Sequence, residues 1–215
     1  MDLETYFIGD SCVCWSFGDE ISQEISDQVL TVYRLLKSRM KDLNILDLVP
    51  AYNTLAVHFD PVIASIDFLV HEITSVIASQ LLKPANGRSV APGSKKIVIP
   101  VVYSGEDLER IASHNNLSVE QVISFHVGGR YSVAMVGFQP HFPYLIGLDK
   151  RLETPRLDSP RTKISAGSVG IGGAQTGIYP RDSPGGWNLL GITDPNLLEA
   201  IEPGDIIEFK EVETL

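Results

Sequence analysis

Glycine dominates the stretch from residue 137 to residue 191, which also holds many of the prolines and aromatic residues and shows little helical or strand periodicity. Glycine tolerates positive φ and the close approach of another backbone, but ordering it costs conformational entropy. Such density predicts a loop surface shaped for a ligand and supported by the rest of the chain. The most crowded glycines are Gly167, Gly170, Gly172, Gly173, Gly177, Gly185, Gly186 and Gly191.

A simpler alternative is that these glycines and prolines only form the turns of a small β-barrel. Polar side chains between the glycines favour a binding surface, because they donate or accept hydrogen bonds in defined directions and a turn does not need so many. These polar residues are Ser168, Gln175, Thr176, Tyr179, Ser183 and Asn188.

Composition restricts the class of protein. The chain has 215 residues and is 44% hydrophobic, which is enough for one large globular domain or two small ones. A formal net charge of −10 opposes binding to nucleic acid, since phosphate recognition needs a basic face. We also expect no membrane association, because no apolar run approaches the roughly 20 residues that span a bilayer.

The N-terminus and the cysteines both predict a cytoplasmic protein. The first five residues are acidic and do not resemble a signal peptide. Cys12 and Cys14 lie one residue apart in a predicted strand, where a disulfide between them would be strained. They belong to no CxxC motif, so we expect reduced, half-buried thiols and no metal site.

Residues 1–83 predict the element order ββαββα. Ser22 is placed to cap the first helix, whose apolar stripe continues as far as Leu43. Asp60 and Pro61 have the residue types of a helix start and predict that the second helix begins there. This order is typical of an α+β sandwich with its helices on one face of an antiparallel sheet.

The remainder of the chain predicts a linker and a second domain. Residues 84–96 are rich in proline and glycine and poor in apolar residues, as in an interdomain linker. Residues 97–215 are predicted to form mainly strands with minor helices, one of which opens with a capping box of Ser118 and Gln121. We predict that these strands close into a β-barrel.

Known nucleotide and hydrolase motifs do not explain the glycine-rich stretch. GxxxxGK[ST] is absent, and a GxGxxG pattern starting at Gly170 fails because Gln175 occupies its last position. HExxH and GxSxG are also missing. A protein of this sequence that uses ATP must therefore bind it by another architecture.

Four charged or titratable residues of this half are candidates for chemistry. Arg156 and Arg161 each follow a proline, whose fixed φ would present both guanidinium groups from a stiffened loop to a carboxylate or phosphate. Solvated arginines that balance nearby acids are an equal alternative. His126 and His141 are candidates for general acid or base, although His141 has aromatic neighbours and packing would also explain it.

Taken together, these motifs resemble the KipI family, which is also known as allophanate hydrolase subunit 1 or as the B subunit of 5-oxoprolinase. The likeness extends to Gly9-Asp10-Ser11 and to the segment from Asp47 to Pro61, so it covers nearly the whole chain. The specific motifs are Gly137-Phe138-Gln139-Pro140-His141-Phe142-Pro143-Tyr144-Leu145, Thr154-Pro155-Arg156, Pro160-Arg161, Ala166-Gly167-Ser168-Val169-Gly170-Ile171, Gln175-Thr176-Gly177-Ile178-Tyr179-Pro180 and Ser183-Pro184-Gly185-Gly186-Trp187.

The resemblance implies an α+β domain followed by a cyclophilin-like β-barrel domain. It also implies one component of an ATP-dependent 5-oxoprolinase, which opens the lactam of 5-oxoproline to L-glutamate. Such a component would be inactive until two partners join it, namely the second cyclophilin-like subunit of that enzyme and its lactam-utilisation subunit. The sequence leaves open whether ATP binds this chain or a partner.

For that activity we predict a substrate site without assigning catalytic residues beyond the candidates His126 and His141. The family usually has glycine at the position of His141, so a close backbone approach there is expected to change. The predicted site residues are Arg156, Arg161, Ser168, Gln175 and Tyr179 as polar lining, with Phe142 and Trp187 as walls.

Three other functions remain open at this point. Members of the family are named for inhibiting a sporulation histidine kinase, which would make the chain a binding protein. An allophanate or urea-carboxylase-related subunit is a second alternative. Peptidyl-prolyl isomerase activity is the third and weakest, because it follows from the predicted barrel alone and a fold does not determine an activity.

Overall fold

A computed structural model describes residues 3–81 and 94–215 of the chain. The chain divides into two compact units, Met1–Ser94 and Lys95–Leu215. The predicted domain limits at 83 and 97 remain predictions. The predicted linker lies outside the described residues except for its last three positions, 94–96.

The first unit combines four strands with two helices, in the predicted order ββαββα. Its elements are β1 (Glu4–Phe7), β2 (Cys12–Ser16), α1 (Gln23–Lys37), β3 (Ile45–Pro50), β4 (Thr54–Phe59) and α2 (Ile66–Leu81). The strands form one antiparallel sheet in the order β1-β2-β4-β3. Alternate residues of β2, Val13 and Trp15, are fully buried in a core shared with both helices.

The predicted start and end of the helices in this unit need correction. The Ser22 hydroxyl accepts from the Ile25 N–H as expected, but α1 ends at Lys37 and does not continue to Leu43, because the residues between form turns. The second helix begins at Ile66. Asp60 accepts instead from the Val62 N–H at 2.9 Å, which closes a turn where the helix was predicted to begin.

The second unit is a mixed sheet that nearly closes into a barrel, with two short helices. Its elements are β5 (Lys96–Val101), α3 (Leu108–Asn115), α4 (Val119–Gly128), β6 (Tyr131–Val136), β7 (Pro143–Ile146), β8 (Arg161–Ile164), β9 (Ser168–Gly172), β10 (Gln175–Ile178), β11 (Ser183–Gly185), β12 (Asn188–Ile192) and β13 (Ile206–Glu211). The predicted capping box of Ser118 and Gln121 opens α4. Every helix of the described ranges is too short or too polar to cross a membrane.

Seven of these strands pair in the order β12-β9-β10-β7-β6-β13-β5, and β13 pairs with β5 in parallel. The two ends of this sheet meet where Val102, just after β5, exchanges two backbone hydrogen bonds with Ile192 of β12. Strands β8 and β11 form a separate two-stranded ribbon. The sheet encloses its own apolar core, which includes Val169, Ile171 and Ile178.

The prediction that residues 137–191 form mainly loop is wrong, since the stretch contains strands β7 to β11. Strand periodicity is hidden there because glycines occupy the outer face. Val169 and Ile171 face the core, so Gly170 and Gly172 face outward, and Gly170 pairs across the sheet with Gly177. The outer face of β9 and β10 is thus almost bare backbone.

Candidate functional site

The indole of Trp187 packs against the bare outer face of β9 and β10, which we call its bed. A Cβ added to Gly172 would lie 2.5 Å from Trp187 Nε1, and one added to Gly177 would lie 3.0 Å from Trp187 Cζ3. The first distance is too short for a real side chain and the second is very tight, so glycine at both positions lets the ring lie on the strands. Trp187 is 4% exposed as a result.

Phe142 connects Trp187 to three other aromatic rings above this bed. Its ring centroid lies 5.6 Å from that of Trp187, 5.1 Å from Tyr179 and 4.7 Å from Tyr144. The pairs with Trp187 and Tyr179 are edge-to-face, the geometry that the aromatic quadrupole favours. Phe138 also packs edge-to-face on Phe142, with 5.7 Å between the ring centroids, and is itself 66% exposed.

These rings enclose a hollow of about 220 Å³ on the outside of the barrel, which we call the aromatic hollow. This is below the roughly 300–1,000 Å³ of pockets for drug-sized ligands, so it suits a molecule of about one ring. The residues that line it are Phe138, Phe142, Tyr144, Arg156, Pro160, Tyr179, Pro184, Gly185, Gly186 and Trp187.

Arg156 supplies the positive charge of the aromatic hollow. Its guanidinium carbon lies 5.7 Å from the centre of the Trp187 ring, within cation–π distance. Over residues 3–81 and 94–215, no carboxylate lies within ion-pair distance of Arg156. Its donors are therefore available to an anionic ligand.

Tyr144 and Tyr179 supply hydroxyl groups to the same hollow. Burial raises the pKa of Tyr179 above its ordinary value. A hydrogen bond that the Tyr179 oxygen accepts from the Trp187 backbone and the charge of Arg156 offset part of the rise. Burial likewise raises the pKa of Tyr144, again partly offset by Arg156. Both phenols are neutral near pH 7, so each carries an O–H donor.

Arg161, the other predicted arginine, lies beside the aromatic hollow but does not line it. Its Nε is 2.8 Å from Glu106 Oε1, its Nη2 is 2.8 Å from Asp107 Oδ1, and its Nη1 donates to the Trp187 carbonyl at 3.4 Å. Burial acts to lower the pKa of Arg161, and the two carboxylates more than offset this effect and raise it. Its guanidinium is engaged by the protein itself.

Ser168 and Gln175 are not part of the hollow lining. Ser168 is buried in β9, where its carbonyl accepts from the Tyr179 N–H at 2.9 Å. Gln175 begins β10 and pairs with Gly172. Both residues therefore hold the strands beneath the aromatic hollow, while their predicted role in contacting substrate stays a prediction.

His126 is completely buried in the barrel core, on α4. Thr176 donates its hydroxyl to the Gly170 carbonyl, so His126 Nε2 donates to Thr176 at 3.1 Å and Nδ1 accepts from Tyr103 at 2.7 Å. Burial lowers the pKa of His126 to about 3. A neutral, fully bonded imidazole in this position does not favour the general acid or base role proposed from sequence.

His141 is exposed, in the loop that leads into β7. Its φ of 68° lies in the left-handed region, and Phe138 in the same loop has a φ of 67°. Glycine adopts this conformation without strain, so histidine here carries a backbone strain that glycine would avoid. His141 does not line the aromatic hollow, and its catalytic role stays a prediction.

The sequence prediction missed Tyr144 and Phe138 as lining residues. Both belong to the motif from Gly137 to Leu145 that carried the resemblance, which was the signal that could have found them. Among the described residues, no group of three or more His, Cys, Asp or Glu side chains is arranged to hold a metal ion.

Comparison with known families identifies the class. Residues 3–202 match the family model "Carboxyltransferase domain, subdomain C and D". The crystal structure of TTHA0988 has the same fold, with a TM-score of 0.79 and 33% identity over 95% of this chain and 40% of its own. This chain thus corresponds to less than half of that longer protein.

Curated relatives are more specific. The chain is 36% identical to the 5-oxoprolinase B subunit of Bacillus subtilis, over 95% of this chain and 91% of the relative. It is 38% identical to the 5-oxoprolinase B subunit of Haemophilus influenzae, over 94% of each. A putative urea carboxylase of Emericella nidulans is 28% identical over 44% of this chain and 8% of its own length. The chain belongs to the family of 5-oxoprolinase B subunits, also called the KipI family.

Proposed function

We propose that this chain is the B subunit of an ATP-dependent 5-oxoprolinase, a complex that hydrolyses 5-oxoproline to L-glutamate. The observation that carries the proposal is the identity of more than a third over nearly the whole length of proteins named as 5-oxoprolinase B subunits. The same relationship supports the finer description of two domains, an α+β domain and a cyclophilin-like barrel domain.

Within this function we assign the aromatic hollow to the substrate. 5-Oxoproline has one five-membered ring, one lactam and one carboxylate, which matches a hollow of about 220 Å³ with a single available guanidinium. Arg156 would pair with the carboxylate, while Phe142 and Trp187 contact the faces of the ring. The phenols of Tyr144 and Tyr179 would donate to the lactam oxygen, where negative charge develops when the ring opens.

ATP is proposed to bind a partner protein. A lactam is a poor electrophile, and phosphorylation of its oxygen creates a leaving group that makes attack by water feasible. The aromatic hollow is too small to hold substrate and nucleotide together. Its lining also offers a single guanidinium for the several negative charges of ATP. We therefore propose that the chain acts only with two partners, the second cyclophilin-like subunit and the lactam-utilisation subunit. Cys12 and Cys14 are free and buried, as suits a complex of the reducing cytoplasm.

The alternatives receive less support. The putative urea carboxylase matches less than half of this chain, so an allophanate-related role is compatible with the comparison but is not favoured by it. Inhibition of a histidine kinase is likewise not favoured by any contact in the described ranges.

Reconstitution tests the proposal. The purified chain is mixed with both partner proteins, and ADP and L-glutamate are measured as a function of 5-oxoproline. We expect turnover with all three proteins and none when this chain is omitted. Absence of turnover with active partners would contradict the function. Suppression of histidine kinase autophosphorylation by the same preparation would then support the binding-protein alternative.

Arg156→Ala tests the assignment of the aromatic hollow in the same assay. Loss of a charge-assisted hydrogen bond of about 1.5–3 kcal/mol predicts a KM for 5-oxoproline that is roughly 10 to 100 times higher. Arg156→Lys keeps the charge but loses the paired donors, so its KM should lie between those of the parent protein and Arg156→Ala. Arg181→Ala removes an exposed arginine that is not part of the lining and serves as the matched control. Equal KM values for the two alanine variants would remove Arg156 from the site.

A further inference from the structure

Arg156 and Trp187 face each other because the two segments that carry them are hydrogen-bonded on both sides of the contact. The carbonyl of Pro155, just before Arg156, accepts from Asn188 Nδ2 at 2.9 Å. The N–H of Leu157, just after Arg156, donates to the Gly186 carbonyl at 2.7 Å. The arginine and the indole are therefore each held between the same two bonds.

Of these two hydrogen bonds, the one from Asn188 depends on a side chain, whereas the other joins two backbone groups. It is completely buried, and its Nδ2 also donates to the Ile171 carbonyl of β9 at 3.2 Å. Its Oδ1 accepts from Arg110 Nε of α3 at 2.9 Å. Both N–H donors and the carbonyl oxygen of the amide are used, so the side chain has a single orientation.

A second contact from α3 holds the same strand. Asp107, at the N-terminus of α3, accepts from the Leu189 N–H at 2.7 Å and pairs with Arg161, which donates to the Trp187 carbonyl. The backbone on the C-terminal side of Trp187 is thus anchored to α3 from two directions. Thr154, just before Pro155, is also held by α3, because Asn115 Nδ2 donates to its hydroxyl at 3.0 Å. The bond from Asn188 to the Pro155 carbonyl is the side-chain bond next to Arg156.

We propose that Asn188 is a positioning residue, which Arg110 anchors and which holds the Arg156 guanidinium over Trp187. Through Arg156, it sets the preference of the aromatic hollow for an anionic ligand. Asn188 does not line the hollow, so it acts through Arg156. The identity of the anion, a lactam carboxylate, rests on the proposed function. The positioning itself rests on the hydrogen bonds.

Asn188→Asp tests this with minimal change of shape. A carboxylate oxygen replaces the amide that donates to Pro155 and Ile171, so two attractive contacts become repulsive while the bond from Arg110 is kept. The variants are made in Trp15→Phe protein, because the chain has two tryptophans and this leaves Trp187 as the only one. Asp158→Asn changes an exposed residue of the same segment and is the matched control.

The first measurement is the fluorescence emission of Trp187 without ligand. Asn188→Asp should shift the emission to longer wavelength in the direction of Arg156→Ala, and the double variant should shift it by less than the sum, because both changes remove one contact. Asp158→Asn should leave it unchanged. Additive shifts, or no shift in Asn188→Asp, would overturn the proposal.

The second measurement compares binding of 5-oxoproline with that of 2-pyrrolidinone, the same lactam without a carboxylate. Asn188→Asp should weaken 5-oxoproline on the order of tenfold and change 2-pyrrolidinone by less than about twofold. Equal weakening of both would show general damage to the hollow and would contradict a role through Arg156. If the parent binds neither lactam while the emission shifts remain non-additive, the substrate assignment fails and the positioning stands.

Arg110→Ala decides the question if Asn188→Asp does not fold. Arg110 is exposed, and its replacement removes the bond to Asn188. We therefore expect a smaller shift of the Trp187 emission, to longer wavelength, that is again not additive with the shift of Arg156→Ala. Glu109→Ala, also exposed and on the same helical turn, is its control. An emission spectrum of Arg110→Ala identical to that of its control would overturn the proposal.

Discussion

Replacing Gly172 with alanine should displace Trp187 from its bed and open the aromatic hollow. The new Cβ would lie 2.5 Å from Trp187 Nε1 and 2.6 Å from Trp187 Cε2. Carbon atoms in contact prefer about 3.5–4.0 Å, so the ring must move by about 1 Å. Because the ring is packed against Phe142 and is 4% exposed, it cannot move cheaply. Overpacking of this kind costs about 1–3 kcal/mol.

Two other glycines separate this contact from backbone effects. Gly173 has a φ of 66° but nothing within 4 Å of an added Cβ, so Gly173→Ala strains only the backbone, by about 1–2 kcal/mol. Gly128, at the end of α4, has neither problem, and Gly128→Ala should be neutral or stabilising by up to about 1 kcal/mol.

Urea unfolding and Trp187 emission, both in Trp15→Phe protein, measure the outcome. Gly172→Ala should lower the free energy of unfolding and shift the emission to longer wavelength. Gly173→Ala should lower the free energy without shifting the emission, and Gly128→Ala should do neither. A Gly172→Ala protein that behaves like Gly128→Ala would refute the idea that the glycines of β9 exist to seat the indole.

Two further predictions concern the residues around the hollow. Burial lowers the pKa of His126 to about 3, so the unfolded chain binds the proton first and the free energy of unfolding should fall by roughly 1.4 kcal/mol per pH unit below about pH 6.5. Urea titrations at several pH values should show that His126→Gln reduces this slope and that His114→Gln, an exposed control, does not; equal slopes would contradict the prediction. Asp107→Asn should cost roughly 3 kcal/mol by leaving Arg161 and the Leu189 N–H poorly paired, whereas Glu106→Gln, at the 62% exposed partner of the same arginine, should cost less than about 0.5 kcal/mol. Thermal unfolding compares the two, and similar losses would show that burial does not distinguish the carboxylates.

The sequence was sufficient to predict helix caps, because each cap is formed by residues that are close together in the chain. Ser22 caps α1, and Ser118 with Gln121 forms the capping box of α4, because each side chain bonds a backbone group three residues away. The turn at Asp60 shows the limit of such signals. Its carboxylate accepts a backbone N–H as a helix cap would, but it closes a turn before α2 begins.

Periodicity failed where glycine replaced the side chains that would display it. Gly170, Gly172 and Gly177 leave the outer face of β9 and β10 empty, so strands were predicted as loop. The tertiary structure shows why glycine is needed on these strands, because Trp187, which follows β11 in the chain, packs against them. A pattern of single residues does not record which distant ring needs the space.

By itself, the sequence determined the order of elements in the first unit and the family, and it supplied Arg156, Phe142, Tyr179 and Trp187 as candidate binding residues. Only the tertiary structure decided which arginine is available. Arg156 and Arg161 follow proline alike, but Arg161 meets Asp107, 54 residues away in the chain, and is held by it. Because the competition between a ligand and a protein carboxylate depends on distance in space, the residues that compete are known only once the chain has folded.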